Sequence, residues 1–127
     1  QRVLLAEDTQ INAEIVRELL GLVHLEVDHA WNGKEAVERF VEEAPGTYLA
    51  ILMDVQMPVM NGYEAAQEIR SLAREDAGKI PIFAMTANAF TEDVSEALNA
   101  GMNGHIAKPV DTQVLYRTLR KAAKERA

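Results

Sequence analysis

Short apolar runs alternate with longer amphipathic stretches along the whole chain. The apolar runs predict buried or half-buried strands at residues 3–6, 25–30, 49–53, 80–85 and 105–107. The stretches between them predict helices over roughly residues 10–22, 34–43, 63–74, 91–100 and 111–123. Because strand and helix alternate five times, the pattern predicts an α/β fold, a parallel sheet with helices on both faces.

Two of these elements carry more detailed predictions. Residues 49–53 form the most apolar strand, so we expect it at the centre of the sheet. The first helix should bury one stripe of side chains, which consists of Asn12, Ile15, Val16, Leu19, Leu20 and Val23.

Polar side chains follow four of the predicted strands. Asp8, Asp54, Thr86 and Lys108 stand at or just after the points where these strands end. Ligands of open parallel α/β sheets bind at this carboxyl edge. The sequence therefore predicts one pocket of carboxylates, a hydroxyl and an ammonium, which is suited to a divalent cation together with a phosphoryl group.

Together, Glu7, Asp8 and Asp54 indicate a cation site more strongly than any one of them does alone. For Glu7 or Asp8 taken alone, a helix cap and a solvated charge explain the residue better than a metal ligand does. Capping explains Asp54 poorly, because it ends the most buried strand and precedes a Pro-Gly loop. Neighbouring carboxylates repel each other, and a hard cation such as Mg²⁺ removes that cost through oxygen ligands.

The two remaining groups suit an anion. Lys108 lies between a strand and Pro109, so it cannot easily swing into solvent, and its point charge suits a phosphoryl group. It could also simply pair with the acids. Thr86 is an ordinary strand-end residue, and only its neighbours make its hydroxyl a candidate donor to phosphate.

Composition limits the classes of function. The 127 residues predict one domain, residues 1–127, and a net charge of −7 argues against nucleic-acid binding by it. Absence of cysteine excludes thiolate chemistry, and no apolar run is long enough to span a bilayer. We expect a cytoplasmic domain without direct membrane contact. A start at Gln1 rather than Met favours a piece of a longer protein.

Five stretches in this order and spacing give a specific resemblance. They are Leu4-Leu5-Ala6-Glu7-Asp8, Met53-Asp54-Val55-Gln56-Met57-Pro58, Met60-Asn61-Gly62, Met85-Thr86-Ala87-Asn88-Ala89 and Lys108-Pro109. Over essentially its whole length the chain resembles the receiver domain of two-component response regulators, above all receivers fused to hybrid sensor histidine kinases. The resemblance implies a flavodoxin-like (βα)5 fold with strand order 2-1-3-4-5.

The resemblance also implies roles for the site residues. Asp54 would accept a phosphoryl group from a phosphohistidine on a histidine kinase or a histidine phosphotransfer domain. Mg²⁺ would be bound by Asp8, Asp54 and the main-chain carbonyl of Gln56, with Glu7 helping through a water. Thr86 and Lys108 would contact the phosphoryl group, and the Lys108–Pro109 peptide bond would be cis. The domain would catalyse its own phosphorylation and turn over no external metabolite.

Four positions need comment in this comparison. Many receivers have two aspartates where this chain has Glu7-Asp8, and we expect the longer Glu7 side chain still to reach a metal-bound water. The family's switch aromatic falls at His105, so we expect its imidazole to replace that ring when Thr86 and the surface from the fourth helix to the fifth rearrange. Gln56 and Asn88 stand where the family tunes acyl-phosphate lifetime, and they predict no particular value.

Partner binding and competing functions complete the expectations. Ile11, Ile15 and Leu22 form an apolar edge that we expect either to dock a helical partner or to pack against a neighbouring loop. A magnesium-dependent hydrolase would need a second acid where Gln56 stands, and the acids of the first loop would repel a flavin phosphate. A stand-alone response regulator and a receiver that binds partners without phosphate remain alternatives.

Overall fold

Five parallel strands form one sheet in the computed structural model, which describes residues 1–87 and 91–126. The strands are β1 (Arg2–Ala6), β2 (Glu26–Ala30), β3 (Tyr48–Asp54), β4 (Ile82–Thr86) and β5 (Gly104–Ala107). The helices are α1 (Gln10–Gly21), α2 (Gly33–Glu42), α3 (Gly62–Arg70), α4 (Thr91–Asn99) and α5 (Thr112–Arg126). The strand order β2-β1-β3-β4-β5 confirms the predicted topology.

Two apolar layers cover the sheet, one on each face. Side chains of α2, α3 and α4 pack on one face, where Phe40 and Ile69 are among the buried residues. Side chains of α1 and α5 pack on the other, where Leu20 and Leu115 are buried. Helices therefore lie on both faces, as predicted, and every residue of β3 is buried between them, which confirms the central position of that strand.

The strand register brings the carboxyl ends of the strands to one edge. Ala6 of β1 pairs with Met53, so Glu7 and Asp54 follow on neighbouring strands. Asp54 in turn pairs with Met85 of β4, one residue before Thr86. This register gathers the polar strand ends, which is the arrangement that the apolar–polar pattern predicts.

The buried stripe of α1 differs from the prediction. Val16 and Leu20 are buried as expected, and Ala13, which was not predicted, is buried with them. Ile15 is 48% exposed and Val23 is 42% exposed, so their assignment to the core is wrong. The buried positions 13, 16 and 20 recur every three to four residues and form the face that meets the sheet. Position 15 directly precedes position 16, so its side chain points to one side of this face.

The third helix and the fourth strand are both shorter than predicted. α3 ends at Arg70, and the following residues turn, which lets Arg74 donate to the Phe40 carbonyl at 2.8 Å and to Asp76 at 2.6 Å. β4 begins at Ile82, directly after Pro81, which has no N–H to donate. No helix in the described part of the chain is long and apolar enough to cross a lipid bilayer.

Candidate functional site

A cleft of about 810 Å³ opens at the carboxyl edge of the sheet. Five of the residues singled out from the sequence line it: Asp8, Asp54, Gln56, Thr86 and Lys108. They come from the ends of four different strands or from the loops that follow them. The cleft therefore assembles the predicted combination of carboxylates, hydroxyl and ammonium.

Lys108 connects two buried carboxylates. Its Nζ donates to Asp54 Oδ2 at 2.8 Å and to Glu7 Oε1 at 3.1 Å. Asp54 is 5% exposed and Glu7 is 1% exposed, so both acids are removed from bulk water. Without a cation these carboxylates would be costly to bury so close together.

The pKa values of Glu7 and Lys108 are both raised above their ordinary values. Burial, reinforced by the hydrogen bond and charge of Asp54, raises the pKa of Glu7 to about 7. Burial tends to lower the pKa of Lys108, but its hydrogen bonds and charge interactions with Asp54 and Glu7 outweigh burial and raise this pKa above its ordinary value. Lys108 is therefore held in its charged form.

The loop after β3 fixes the direction of Asp54. The Gln56 N–H donates to Asp54 Oδ1 at 3.1 Å, which turns one carboxylate oxygen toward the loop. Gly62 begins α3 directly against this strand end, and a Cβ there would lie 2.4 Å from the Asp54 carbonyl oxygen. Asn61 caps the same helix through a hydrogen bond from the Glu64 N–H at 2.9 Å. Only glycine fits at position 62 without moving the backbone of Asp54.

A second glycine supports this loop from the other side. The Gly33 N–H donates to the Met60 carbonyl at 2.9 Å, and a Cβ on Gly33 would lie 2.4 Å from that oxygen. The sequence indicated turns at both glycines. It did not reveal these close approaches, because each depends on a backbone oxygen from another part of the chain.

The acidic residues fit a hard cation. One carboxylate oxygen from each of Glu7, Asp8 and Asp54 lies within 4.8 Å of the other two. Oxygen ligands at this spacing are what Mg²⁺ and Ca²⁺ prefer, whereas softer ions favour nitrogen or sulfur. The donor set therefore supports the predicted cation site.

Other predicted residues lie outside the cleft. His105 is exposed on β5, and Ile11, Ile15 and Leu22 are exposed on or beside α1. Asn88 falls outside the described residues. The Lys108–Pro109 peptide bond is cis, which confirms that prediction.

Two cleft residues that lie on helices were missed in the sequence. Tyr63 of α3 and Glu96 of α4 line the same cleft as Asp54. Neither follows a strand, so the rule that singled out strand ends could not find them. Glu96 lies in an amphipathic helix, where a glutamate ordinarily marks the solvated face.

The fold and the site together define a five-stranded parallel α/β domain with an acidic cleft at the carboxyl edge of its sheet. The model of the response regulator receiver domain family matches residues 3–120. The chain therefore belongs to the receiver domain family.

Curated relatives are much longer than this chain. The peroxide stress-activated histidine kinase mak1 of Schizosaccharomyces pombe is 40% identical over 114 residues, which cover 89% of this chain and 7% of that protein. The aerobic respiration control sensor protein ArcB of Escherichia coli is 38% identical over 120 residues, which cover 94% of this chain and 15% of that protein. The similarity is thus to one segment of each kinase.

Solved structures share the fold. The receiver domain of sensor histidine kinase PA1611 from Pseudomonas aeruginosa, with a magnesium ion in its active-site cleft, has 40% identity and a TM-score of 0.83, covering 95% of each chain. A receiver domain from Saccharomyces cerevisiae, that of Ssk1, was solved in complex with the phosphotransfer protein Ypd1. That match has 31% identity and a TM-score of 0.87, and covers 99% of this chain and 90% of the other.

The raised pKa of Glu7 predicts a pH-dependent stability in metal-free buffer. Between about pH 4.5 and 7 the folded state binds more protons than the unfolded state, so the free energy of unfolding should fall as the pH rises through this window. Across this window the free energy of unfolding of the wild type should fall by about 1–3 kcal/mol, and Glu7→Gln should abolish this fall. Urea unfolding with a chelator measures both proteins.

The control for this measurement is Glu38→Gln, a substitution on the exposed face of α2. It should follow the pH profile of the wild type. Parallel profiles for wild type and Glu7→Gln would contradict the perturbed pKa.

Proposed function

We propose that residues 1–127 form one receiver domain that accepts a phosphoryl group on Asp54 from a phosphohistidine. The observation that carries the proposal is the contact of Lys108 Nζ with Asp54 Oδ2 at 2.8 Å, inside a cleft that also holds Asp8 and Thr86. Membership of the receiver family supports it, as does the Saccharomyces cerevisiae receiver in complex with a phosphotransfer protein.

The proposed chemistry is an in-line phosphoryl transfer. An Asp54 carboxylate oxygen attacks phosphorus, and a P–O bond forms as the P–N bond to the histidine breaks. The electron pair of the P–N bond returns to the imidazole nitrogen, which takes up a proton. Lys108 neutralises charge on the phosphoryl oxygens, and the Thr86 hydroxyl, at the end of β4, donates to one of them.

The proposed cofactor is Mg²⁺. Asp8, Asp54 and the main-chain carbonyl of Gln56 would hold it, with Glu7 acting through a water. When bound, the ion neutralises carboxylate and phosphoryl charge and helps to position the reacting groups. The cluster of three carboxylate oxygens supports this assignment, and so does the magnesium-bound receiver of Pseudomonas aeruginosa.

We further propose that the domain is the receiver of a hybrid sensor histidine kinase. Relatives that are histidine kinases, one of them described as hybrid, support this, since the match with this chain covers only 7% of the length of each. The donor would be the kinase itself or a histidine phosphotransfer domain, and the receiver would lie on the cytoplasmic side of the membrane.

The apolar edge of α1 would dock that donor. Ile11 is 68% exposed, Ile15 is 48% exposed and Leu22 is 74% exposed. Ile15 also lines a hollow of about 110 Å³ with Glu7 and Lys108, so this edge adjoins the phosphoacceptor site. An exposed apolar edge beside a reactive cleft suits a helix of the donor protein, which would bury the edge while presenting its phosphohistidine.

Phosphorylation at Asp54 is expected to depend on that one carboxylate. Incubation with a small phosphodonor and Mg²⁺ should add one phosphoryl group to the wild type and none to Asp54→Asn, by intact mass. Asp28→Asn is the control, because Asp28 lies on β2 and contacts Arg2 and Tyr48 rather than the cleft. Equal labelling of Asp54→Asn would contradict the proposal.

Docking through α1 predicts a loss that is specific to protein donors. Ile11→Asp places a charge in the apolar edge and should slow transfer from a phosphorylated histidine phosphotransfer domain by about tenfold or more. Labelling by a small phosphodonor should stay unchanged. Val41→Asp on α2, where Val41 is 52% exposed, supplies the control. If both donors label Ile11→Asp at the wild-type rate, this edge is not the docking site.

The conformational response would pass from Thr86 to β5 and its neighbours. Thr86 pairs with Ala107, and Ala84 pairs with His105, so β4 and β5 are neighbours in the sheet. Thr86 would shift toward the phosphoryl group, and His105, which is exposed, would change its environment with the α4–β5–α5 surface. Phosphorylation should therefore shift the NMR signals of the His105 ring, and unchanged signals in fully phosphorylated protein would contradict this switch.

A further inference from the structure

Glu96 is a third acid in the wall of the phosphoacceptor cleft. It lies on α4, and the cleft that it lines contains Asp8, Asp54, Thr86 and Lys108. Its side chain is exposed and forms no ion pair with any of the side chains that the structure describes, those of residues 1–87 and 94–125. The cleft is therefore lined by three acids and a single lysine.

The other acids have partners that compensate for their charge. Lys108 contacts Asp54 and Glu7, and Asp8 belongs with them to the oxygen cluster that fits a cation. Glu96 belongs to neither arrangement. Its charge consequently remains in the cleft when the cation and the ammonium have neutralised the rest, and an incoming phosphoryl group meets it.

We propose that Glu96 is a specificity-determining residue that disfavours small phosphodonors in proportion to their negative charge. This inference rests on the proposed phosphorylation of Asp54. Across a water-filled cleft of this size the repulsion of one carboxylate corresponds to about a two- to fourfold effect on a dianion and about a twofold effect on a monoanion. A phosphohistidine presented by a docked protein gains binding contacts outside the cleft that offset this repulsion. Glu96 therefore slows phosphorylation by small phosphodonors more than phosphorylation by protein donors.

The experiment compares donors of different charge. Acetyl phosphate is a dianion at neutral pH, whereas phosphoramidate carries about one net negative charge. In Mg²⁺ buffer at low salt, Glu96→Gln should speed the labelling of Asp54 by acetyl phosphate about two- to fourfold and by phosphoramidate less. Glu96→Lys should extend the same trend. Raising the salt concentration should shrink both differences, since screening weakens the repulsion.

The matched control is Glu18→Gln, which makes the same change in net charge on the exposed face of α1. It should label at the wild-type rate with both donors. Wild-type rates for Glu96→Gln and Glu96→Lys, with wild type labelled normally, would overturn the role of Glu96 alone. A salt-independent change that is equal for both donors would also overturn it, because that pattern reports altered packing. Failure of every variant, including wild type, to be labelled would overturn the proposed function and this inference with it.

Discussion

One ammonium group holds two buried carboxylates at the edge of the sheet. Lys108 lies 101 residues from Glu7 and 54 residues from Asp54 along the chain, yet its Nζ contacts both. Two acids with almost no exposure would repel each other strongly in this setting, and the shared lysine offsets only part of that cost, since the pKa of Glu7 is still raised to about 7. The same contact ties β5 to the ends of β1 and β3, so the electrostatics of the site and the closure of the fold depend on each other.

The backbone around Asp54 is held in place so that its carboxylate stays in contact with Lys108. The Val55 N–H donates to the Met85 carbonyl at 3.2 Å, and the Gly62 N–H donates to the Val55 carbonyl at 3.2 Å, so the strand end is fixed on two sides. Because α3 begins directly against this backbone, its first residue has no room for a side chain. The phosphoacceptor candidate is thus held by a central strand and a helix start, which limits its freedom before any ligand binds.

The sequence predicted those features that depend on the order of residues along one strand or one loop. Asp8, Asp54, Thr86 and Lys108 were found because each ends a strand or follows one, and parallel strands bring such positions to one edge. The buried face of α1 was partly wrong, since Ile15 lies beside buried Val16, about 100° around the helix, and the apolar pattern alone does not show on which side of Val16 the sheet lies. Gly62 and Glu96 acquire their roles from groups distant in sequence, so no local pattern could reveal them.

The N–H groups of the Lys108 ammonium show how the cleft can hold its acids and still have room for a phosphoryl group. An ammonium has three N–H donors, and two of them are used by Asp54 and Glu7 within the described part of the chain. The third is left for an oxygen that arrives in the cleft, and the lysine side chain is 21% exposed, so its head is reachable from solvent. An ammonium that used all three donors within the protein would have none left for an incoming oxygen. The partial exposure of Lys108, rather than the number of acids around it, is therefore the feature that would let this ion cluster contact a ligand as well as hold the strand ends together.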